Sequence, residues 1–189
     1  MRISFDVDYT LVLHGLEVPP ERGRFPAFIH RWLGEPLRLG TCSLVRELRR
    51  RGCSVWIYTS SGRTPFDIRL WLFLHGIRID GVINDERHRR ELAGRTFSRL
   101  PSKYPPAFGI DLHVDDSEGV LIEGKEYGFR VLVVSPDDEH WAERVLDAVA
   151  QANYSPPPSA ASQTTQLSLS HDSRFVTTIT PETTKKLPV

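Results

Sequence analysis

Cysteine is scarce in this chain: Cys42 and Cys53 are the two among 189 residues. They are too few for a disulfide framework and lack the spacing of a metal cluster. Both are expected as reduced thiols in the cytoplasm, with Cys53 in the core. Net charge is also missing, because 24 basic residues balance 24 acidic ones. No bulk field therefore draws the protein to a membrane or to nucleic acid, and nucleic acid is not expected as a partner. No apolar run is long enough to span a bilayer, and a strand-like pattern begins at Arg2 with no signal peptide ahead of it. A soluble, cytoplasmic protein is expected. No internal repeat is visible. The basic residues are mostly arginine, which favours planar contacts with anions. The length suffices for one domain with a sizeable core.

The chain is organised around Arg2-Ile3-Ser4-Phe5-Asp6-Val7-Asp8-Tyr9-Thr10-Leu11. A short, largely apolar run ending in two carboxylates reads as a buried strand of an α/β sheet. Open α/β sheets bind ligands beyond the carboxyl ends of their strands, where Asp6 and Asp8 would sit. Residues i and i+2 of a strand share a face, and like charges that close repel unless a cation relieves them. Asp6 and Asp8 are thus candidates for a metal-assisted site, against the plainer reading of a strand ending in two solvated aspartates.

Further along, Val12 to Gly40 is broken by Pro19, Pro20, Pro26 and Pro36. It reads as a small flap over the same sheet edge. Its arginines, Arg22, Arg24, Arg31 and Arg38, either meet an anionic substrate or are solvated loop charges, and for any one of them the second reading is favoured. Thr41 caps a predicted helix to about Arg51, closed by Gly52, whose basic run is a solvated face. Cys53 to Tyr58 is a second strand, ending in the hydroxyl-rich turn Thr59-Ser60-Ser61-Gly62-Arg63. Thr64-Pro65-Phe66-Asp67 has the form of a capping box. The helix it opens reaches His75, a structural residue near its C-terminus, and Phe66, Leu70, Trp71, Phe73 and Leu74 make it mostly buried.

A third strand is predicted over Ile77 to Asn84 and an exposed charged helix over Asp85 to Leu92. Ile110 to Val114 is a fourth strand that ends in Asp115-Asp116. Ser117 caps a helix to Tyr127, Phe129 to Val134 is a fifth strand, and a last helix begins at Asp137 or Asp138 and runs to about Ala152. Strands alternating with helices predict an α/β fold with a doubly wound, mostly parallel five-stranded sheet over residues 1–152. From Asn153 the chain is rich in proline, serine and threonine, and residues 153–189 read as a disordered tail, with at most a fleeting strand at Phe175 to Thr180.

Three predicted strand ends now carry polar groups: Asp6 and Asp8, Thr59, and Asp115 with Asp116, with Lys103 just upstream of the last. In a parallel sheet these ends converge on one edge. Carboxylates, a hydroxyl and an ammonium suit phosphoryl transfer, in which Mg²⁺ takes a few carboxylate oxygens and a carboxylate can attack phosphorus.

At this point the chain resembles the haloacid dehalogenase superfamily of phosphatases and phosphotransferases. Asp6-Val7-Asp8-Tyr9-Thr10-Leu11 matches its first motif, Thr59 its second, Lys103 its third and Asp115-Asp116 its fourth, in the family's order. A receiver domain uses similar groups, but there the acidic pair comes first and the lysine last. The resemblance implies a Rossmann-like core and a Mg²⁺-dependent phosphatase acting through an aspartyl phosphate. Asp6 would be nucleophile and metal ligand. Asp8 would be general acid and then base, holding a proton near neutral pH, and its backbone carbonyl would reach the metal. Thr59, with Ser60 beside it, and Lys103 would bind phosphoryl oxygens. Asp116 would be a direct metal ligand, and Asp115 a second ligand or a support behind it.

Two departures from the family pattern carry structural expectations. Lys103 stands only twelve residues before Asp115, so the helix that usually carries it must be short or distorted. Tyr9 stands where many relatives have glycine and would narrow the entrance. The intervals after the first motif and between the third strand and Lys103 are too short for a cap domain. A minimally capped member is implied, acting on a phosphorylated small molecule or macromolecule, with an oligomer left open. The alternative is a catalytically silent module that keeps the fold for binding or regulation; the intact Asp6/Asp8 pair speaks against it.

Overall fold

The structure, a computed structural model, describes residues 1–15, 19–22, 26 and 35–154. The readings made for Arg24, Arg31, the chain beyond residue 154 and Phe175 to Thr180 lie outside the described residues. The fold is α/β. Five strands, β1 (Arg2–Phe5), β2 (Ser54–Tyr58), β3 (Gly81–Ile83), β4 (Leu112–Asp115) and β5 (Val131–Val133), form an all-parallel sheet in the order β3-β2-β1-β4-β5. The helices are α1 (Thr41–Arg50), α2 (Pro65–Leu74), α3 (Asp85–Leu92), α4 (Glu118–Tyr127) and α5 (Trp141–Tyr154), with a 3₁₀ turn at Pro105–Phe108. The first strand is therefore central, hydrogen-bonded to β2 on one side and β4 on the other. The strand order reverses beside it, the place where a doubly wound sheet opens a crevice.

Strand alternation divides the core. Ile3 and Phe5 of β1, Val55 and Ile57 of β2, and Leu112 and Val114 of β4 point to one face. There they pack with Leu44 and Leu48 of α1, Ile68 and Leu72 of α2, and Trp141, Val145 and Val149 of α5. A smaller cluster of Tyr58, Ile83, Phe108 and Ile110 lies apart from it, built on the opposite set of β2 positions. On that second face β1 and β4 carry Ser4 and His113, both fully buried, with Arg2 and Asp115 at the two ends of the series. One face of the central strands is thus apolar, and the other carries a polar column toward the carboxyl edge.

Several local expectations need correction. Phe66 and Phe73 are 70% and 52% exposed, so α2 buries one side through Ile68, Trp71, Leu72 and Leu74 and leaves a second apolar stripe outside. Periodicity could not separate the two sides, because this helix is apolar nearly all round. Gly40, in a left-handed conformation (φ 92°), precedes α1, and Thr41 is the first helical residue, its hydroxyl donating to the Arg38 carbonyl at 2.6 Å. Ser117 stands at the N-cap of α4 without a side-chain capping bond. The last helix starts at Trp141, since the Asp138 carboxylate accepts from the His140 N–H (2.8 Å) and Arg144 Nη1 (2.7 Å) in the turn before it. Arg38 neither floats in solvent nor faces a substrate. It is 4% exposed, donates to the carbonyls of Ser135 and Asp138 at 2.8 Å each, and lies over the Trp141 ring. Burial lowers its guanidinium to about 10.

Gly81 is required by packing. It pairs across the sheet with Trp56, and a Cβ there would come within 2.2 Å of the indole. Gly81→Ala should therefore cost about 1–3 kcal/mol of stability by overpacking. A urea melt checks this, and an unchanged midpoint would mean the indole moves aside freely.

Candidate active site

The carboxyl edge of the sheet holds a cleft of about 270 Å³ whose walls include Asp6, Asp8, Thr59, Ser60, Lys103, Asp115 and Asp116. Every residue singled out from the sequence for this chemistry lines it. Tyr9, Ser61, Ser102, Ser117 and Val120 complete the wall. A larger cleft of about 670 Å³ runs along the outer side of α2 past Phe66, Leu70 and Phe73, but it gathers no comparable set of reactive groups.

Asp6 follows the last residue of β1, and its N–H donates to the Val114 carbonyl of the neighbouring strand at 2.9 Å. Lys103 Nζ donates to Asp6 Oδ1 at 2.6 Å and to the Tyr58 carbonyl at 3.0 Å. Both members are nearly inaccessible, with side chains 4% and 11% exposed. Burial pushes the Asp6 carboxyl up, Lys103 pulls it back, and the charge of Asp115 adds to the rise, leaving it above its ordinary value. An ammonium has three donors, so one remains for another anion. The second Asp6 oxygen is likewise not engaged by Lys103.

Lys103 reaches this position without a helix. Its segment is a loop two residues before the 3₁₀ turn, well past the end of α3. Glu123 of α4 accepts from Ser102 N, Ser102 Oγ and Lys103 N. Behind it, the Tyr58 hydroxyl accepts the Tyr104 N–H at 2.8 Å and is hydrogen-bonded to His88, whose other ring nitrogen donates to the Pro101 carbonyl. His88 is 5% exposed, so the charged segment read as an exposed helix buries His88 along with Leu92, and His88 holds this loop.

Thr59 is 1% exposed, and its Oγ1 accepts the Ser61 N–H at 3.1 Å, which leaves its hydroxyl hydrogen for a ligand. Tyr9 has φ 58°, a left-handed turn residue that glycine would fill without steric cost, and its ring stands edge-on to His14 at the cleft mouth.

Asp8 differs from the expectation that it holds a proton near neutral pH. Its Oδ1 bonds His14 Nε2 at 2.8 Å and its Oδ2 accepts from Arg63 Nη1 at 2.9 Å. Burial pushes its carboxyl up, but hydrogen bonds and charge from Arg63 and His14 prevail and hold it below its ordinary value. Glu35 closes a ring: it accepts from Arg63 Nη2 at 2.5 Å, and its own carbonyl is fixed by the Trp71 indole. Sequence reading passed over Arg63 as part of a turn and over His14 and Glu35 altogether, since no local pattern links three residues so far apart.

At the end of β4, Asp115 is 3% exposed; its Oδ2 accepts from His113 Nε2 and its Oδ1 from Ser117 N, each at 2.9 Å. Burial raises this carboxyl, yet the His113 bond and charge outweigh it and keep it below its ordinary value. Asp116 is more open, with a long 3.5 Å contact from Thr10 Oγ1. Burial and then the charges of Asp115 and Asp6 raise it.

Asp6 and Asp116 are thus both destabilised as anions by their surroundings, which a cation between them would reverse. An all-oxygen donor set, with few protein ligands, fits Mg²⁺, which keeps several of its waters. Asp6, Asp116 and the Asp8 carbonyl could hold it, with Asp115 behind. Among the described residues a tighter group, Asp8, His14 and Glu35, has donor atoms within 4.8 Å of one another. The Arg63 guanidinium bridges its two carboxylates and takes the place a cation would need.

No family model and no curated protein matches this chain.

With Asp8 titrating below its ordinary value, the stability this pairing supplies is present above about pH 4 and is lost as pH falls through the folded value. Arg63→Ala should move the Asp8 titration upward. Carboxyl-resolved NMR measures it, and an unmoved midpoint would show that His14 alone governs Asp8.

Proposed function

We propose that the chain is a Mg²⁺-dependent phosphomonoester hydrolase of the haloacid dehalogenase type, working through an aspartyl phosphate on Asp6. The observation that carries this reading is the Asp6–Lys103 pair, 2.6 Å apart, in the same cleft as Thr59, Asp115 and Asp116. A nucleophilic carboxylate, phosphoryl-binding donors and further carboxylates arrive there from four separate segments, in the order the resemblance requires.

In the proposed reaction the substrate phosphoryl group lies against the remaining donor of Lys103 and the Thr59 hydroxyl. These hold its equatorial oxygens as charge spreads over them, and Ser60 lines the opening. Asp6 attacks phosphorus, the bond to the leaving oxygen breaks, and Asp8 gives that oxygen a proton. Water then attacks the phosphoaspartate, Asp8 takes the water's proton, and Asp6 and inorganic phosphate are released. Bound Mg²⁺ would neutralise phosphate charge and orient the phosphoryl group.

The pairing of Asp8 bears on this sequence. In the free protein it is an anion, ready for the base step. A phosphate brought beside it adds negative charge, which raises its proton affinity and suits it to the acid step. The cleft has an open mouth and little cover among the described residues, which suits substrates of varied size.

Hydrolysis of an aryl phosphate that requires Mg²⁺ is the first test, and activity surviving thorough chelation would contradict the reading. Asp6→Asn should abolish turnover and any phosphoryl adduct detected by mass spectrometry. Asp8→Asn should slow alkyl phosphates by about 10²–10⁴-fold, the usual size of general acid–base catalysis, and spare activated aryl esters that need no acid. An adduct on Asp8, or undiminished hydrolysis by Asp6→Asn, would reverse the assignment. A chain that hydrolyses nothing under these conditions is a binding module.

A further inference from the structure

The polar column on the second face of the sheet ends at the cleft, and its middle member has no part in the reaction above. His113 is fully buried within β4, and Ser4, directly across the ladder on β1, is fully buried as well. Ser4 Oγ and His113 Nδ1 are 2.8 Å apart, and His113 Nε2 lies 2.9 Å from Asp115 Oδ2. His113 and Asp115 are two apart on one strand, so they share a face. An ionised carboxylate only accepts hydrogen bonds, which makes Nε2 the donor to Asp115. The ring also packs against Tyr58, with centroids 5.5 Å apart. Both ends of the imidazole and one flank are thereby fixed.

The contacts run serine, histidine, aspartate, but this is no nucleophilic triad: Ser4 is fully buried beneath the sheet edge, where no substrate reaches it. Nor does stability explain the column. The interior of a parallel sheet is ordinarily apolar, and buried polar pairs gain little over well-packed hydrophobic residues. The column leads to one end point, the carboxylate of Asp115. That group stands among the charges of Asp6 and Asp116, and repulsion alone would turn it away from them.

We propose that His113, tethered by Ser4, is a positioning residue for the cation site, fixing the Asp115 carboxylate behind Asp6 and Asp116 so that those two can share one hard divalent cation. This inference rests on the cation site of the proposed hydrolase but not on hydrolysis itself. His113 touches neither substrate nor cation; it acts through Asp115.

The test is equilibrium binding of Mn²⁺, an EPR-visible stand-in for Mg²⁺, to the full chain, with near-UV circular dichroism to confirm the fold. His113→Leu should weaken Mn²⁺ binding about 10–100-fold, the usual effect of removing a group that orients a ligand. His113→Gln, which restores an N–H toward Asp115, should recover most of it, and Ser4→Ala should lose a few-fold. If His113 works through Asp115, the double variant His113→Leu/Asp115→Asn should bind no more weakly than Asp115→Asn alone. Wild-type affinity in folded His113→Leu, additive losses in the double variant, or no Mn²⁺ binding by the wild-type chain would each overturn the inference. If His113→Leu does not fold, Ser4→Ala decides: an unchanged affinity there counts against it. Mn²⁺ binding that follows this pattern without any phosphate hydrolysis would uphold the inference and remove the hydrolase reading instead.

Discussion

The buried contact between Lys103 and Asp6 is the constraint on which the carboxyl edge depends. Both side chains are nearly inaccessible, and burial works against the Asp6 anion while the ammonium beside it works in its favour. Neither partner could be removed without leaving the other an uncompensated buried group. The pair also reaches across the fold, joining the end of the central strand to the loop that follows α3. That loop has no helix to stiffen it. Glu123 clamps its backbone, and the Tyr58–His88 contact supports it from behind. The position of one ammonium thus draws on α3, α4 and β2 at once.

Asp6 and Asp8, the two aspartates that follow β1, are separated by their surroundings rather than by their chemistry. Asp6 is enclosed and sees further carboxylates, so its anion is disfavoured; Asp8 is partly open and held by Arg63 and His14, so its anion is favoured. Two like groups with oppositely displaced proton affinities are the usual sign of divided labour at a site. The direction here is the reverse of a nucleophile that is free and an acid that is loaded. It describes the cleft without cation or phosphate, the two charges that would act most strongly on it. A cation at Asp6 and Asp116 would lower one, and a phosphate near Asp8 would raise the other.

Much of the fold could be read from the chain because its signals are local. The β1 run into Asp6, the Thr64-Pro65 start of α2 and the alternation of strands and helices rest on neighbouring residues. The carboxylates of β1 and β4 could be brought together because a parallel sheet aligns strand ends by topology alone. The parts that escaped depend on contacts made at long range. Arg63, His14 and Glu35 meet through a fold-dependent ring, and His88 looks like any polar residue in a charged helix. Arg38 is buried where the carbonyls of Thr10, Ser135 and Asp138 converge on it, which no spacing reveals. The exposure of Phe66 and Phe73 was hidden for the opposite reason: an all-apolar helix gives periodicity nothing to distinguish.

The polar column shows how one alternation rule serves both folding and the site. On β1 and β4, odd and even positions part company: Ile3, Phe5, Leu112 and Val114 join the apolar core, while Ser4, His113 and Asp115 form the hydrogen-bonded series. Because the strands are parallel and in register at Ser4 and His113, the series climbs in the direction in which both strands end. A slip of one residue in that pairing would turn His113 into the apolar layer and Asp115 away from the cleft. The hydrophobic face that fixes the register therefore also fixes the height and direction of the carboxylates, and the site inherits its geometry from the core beneath it.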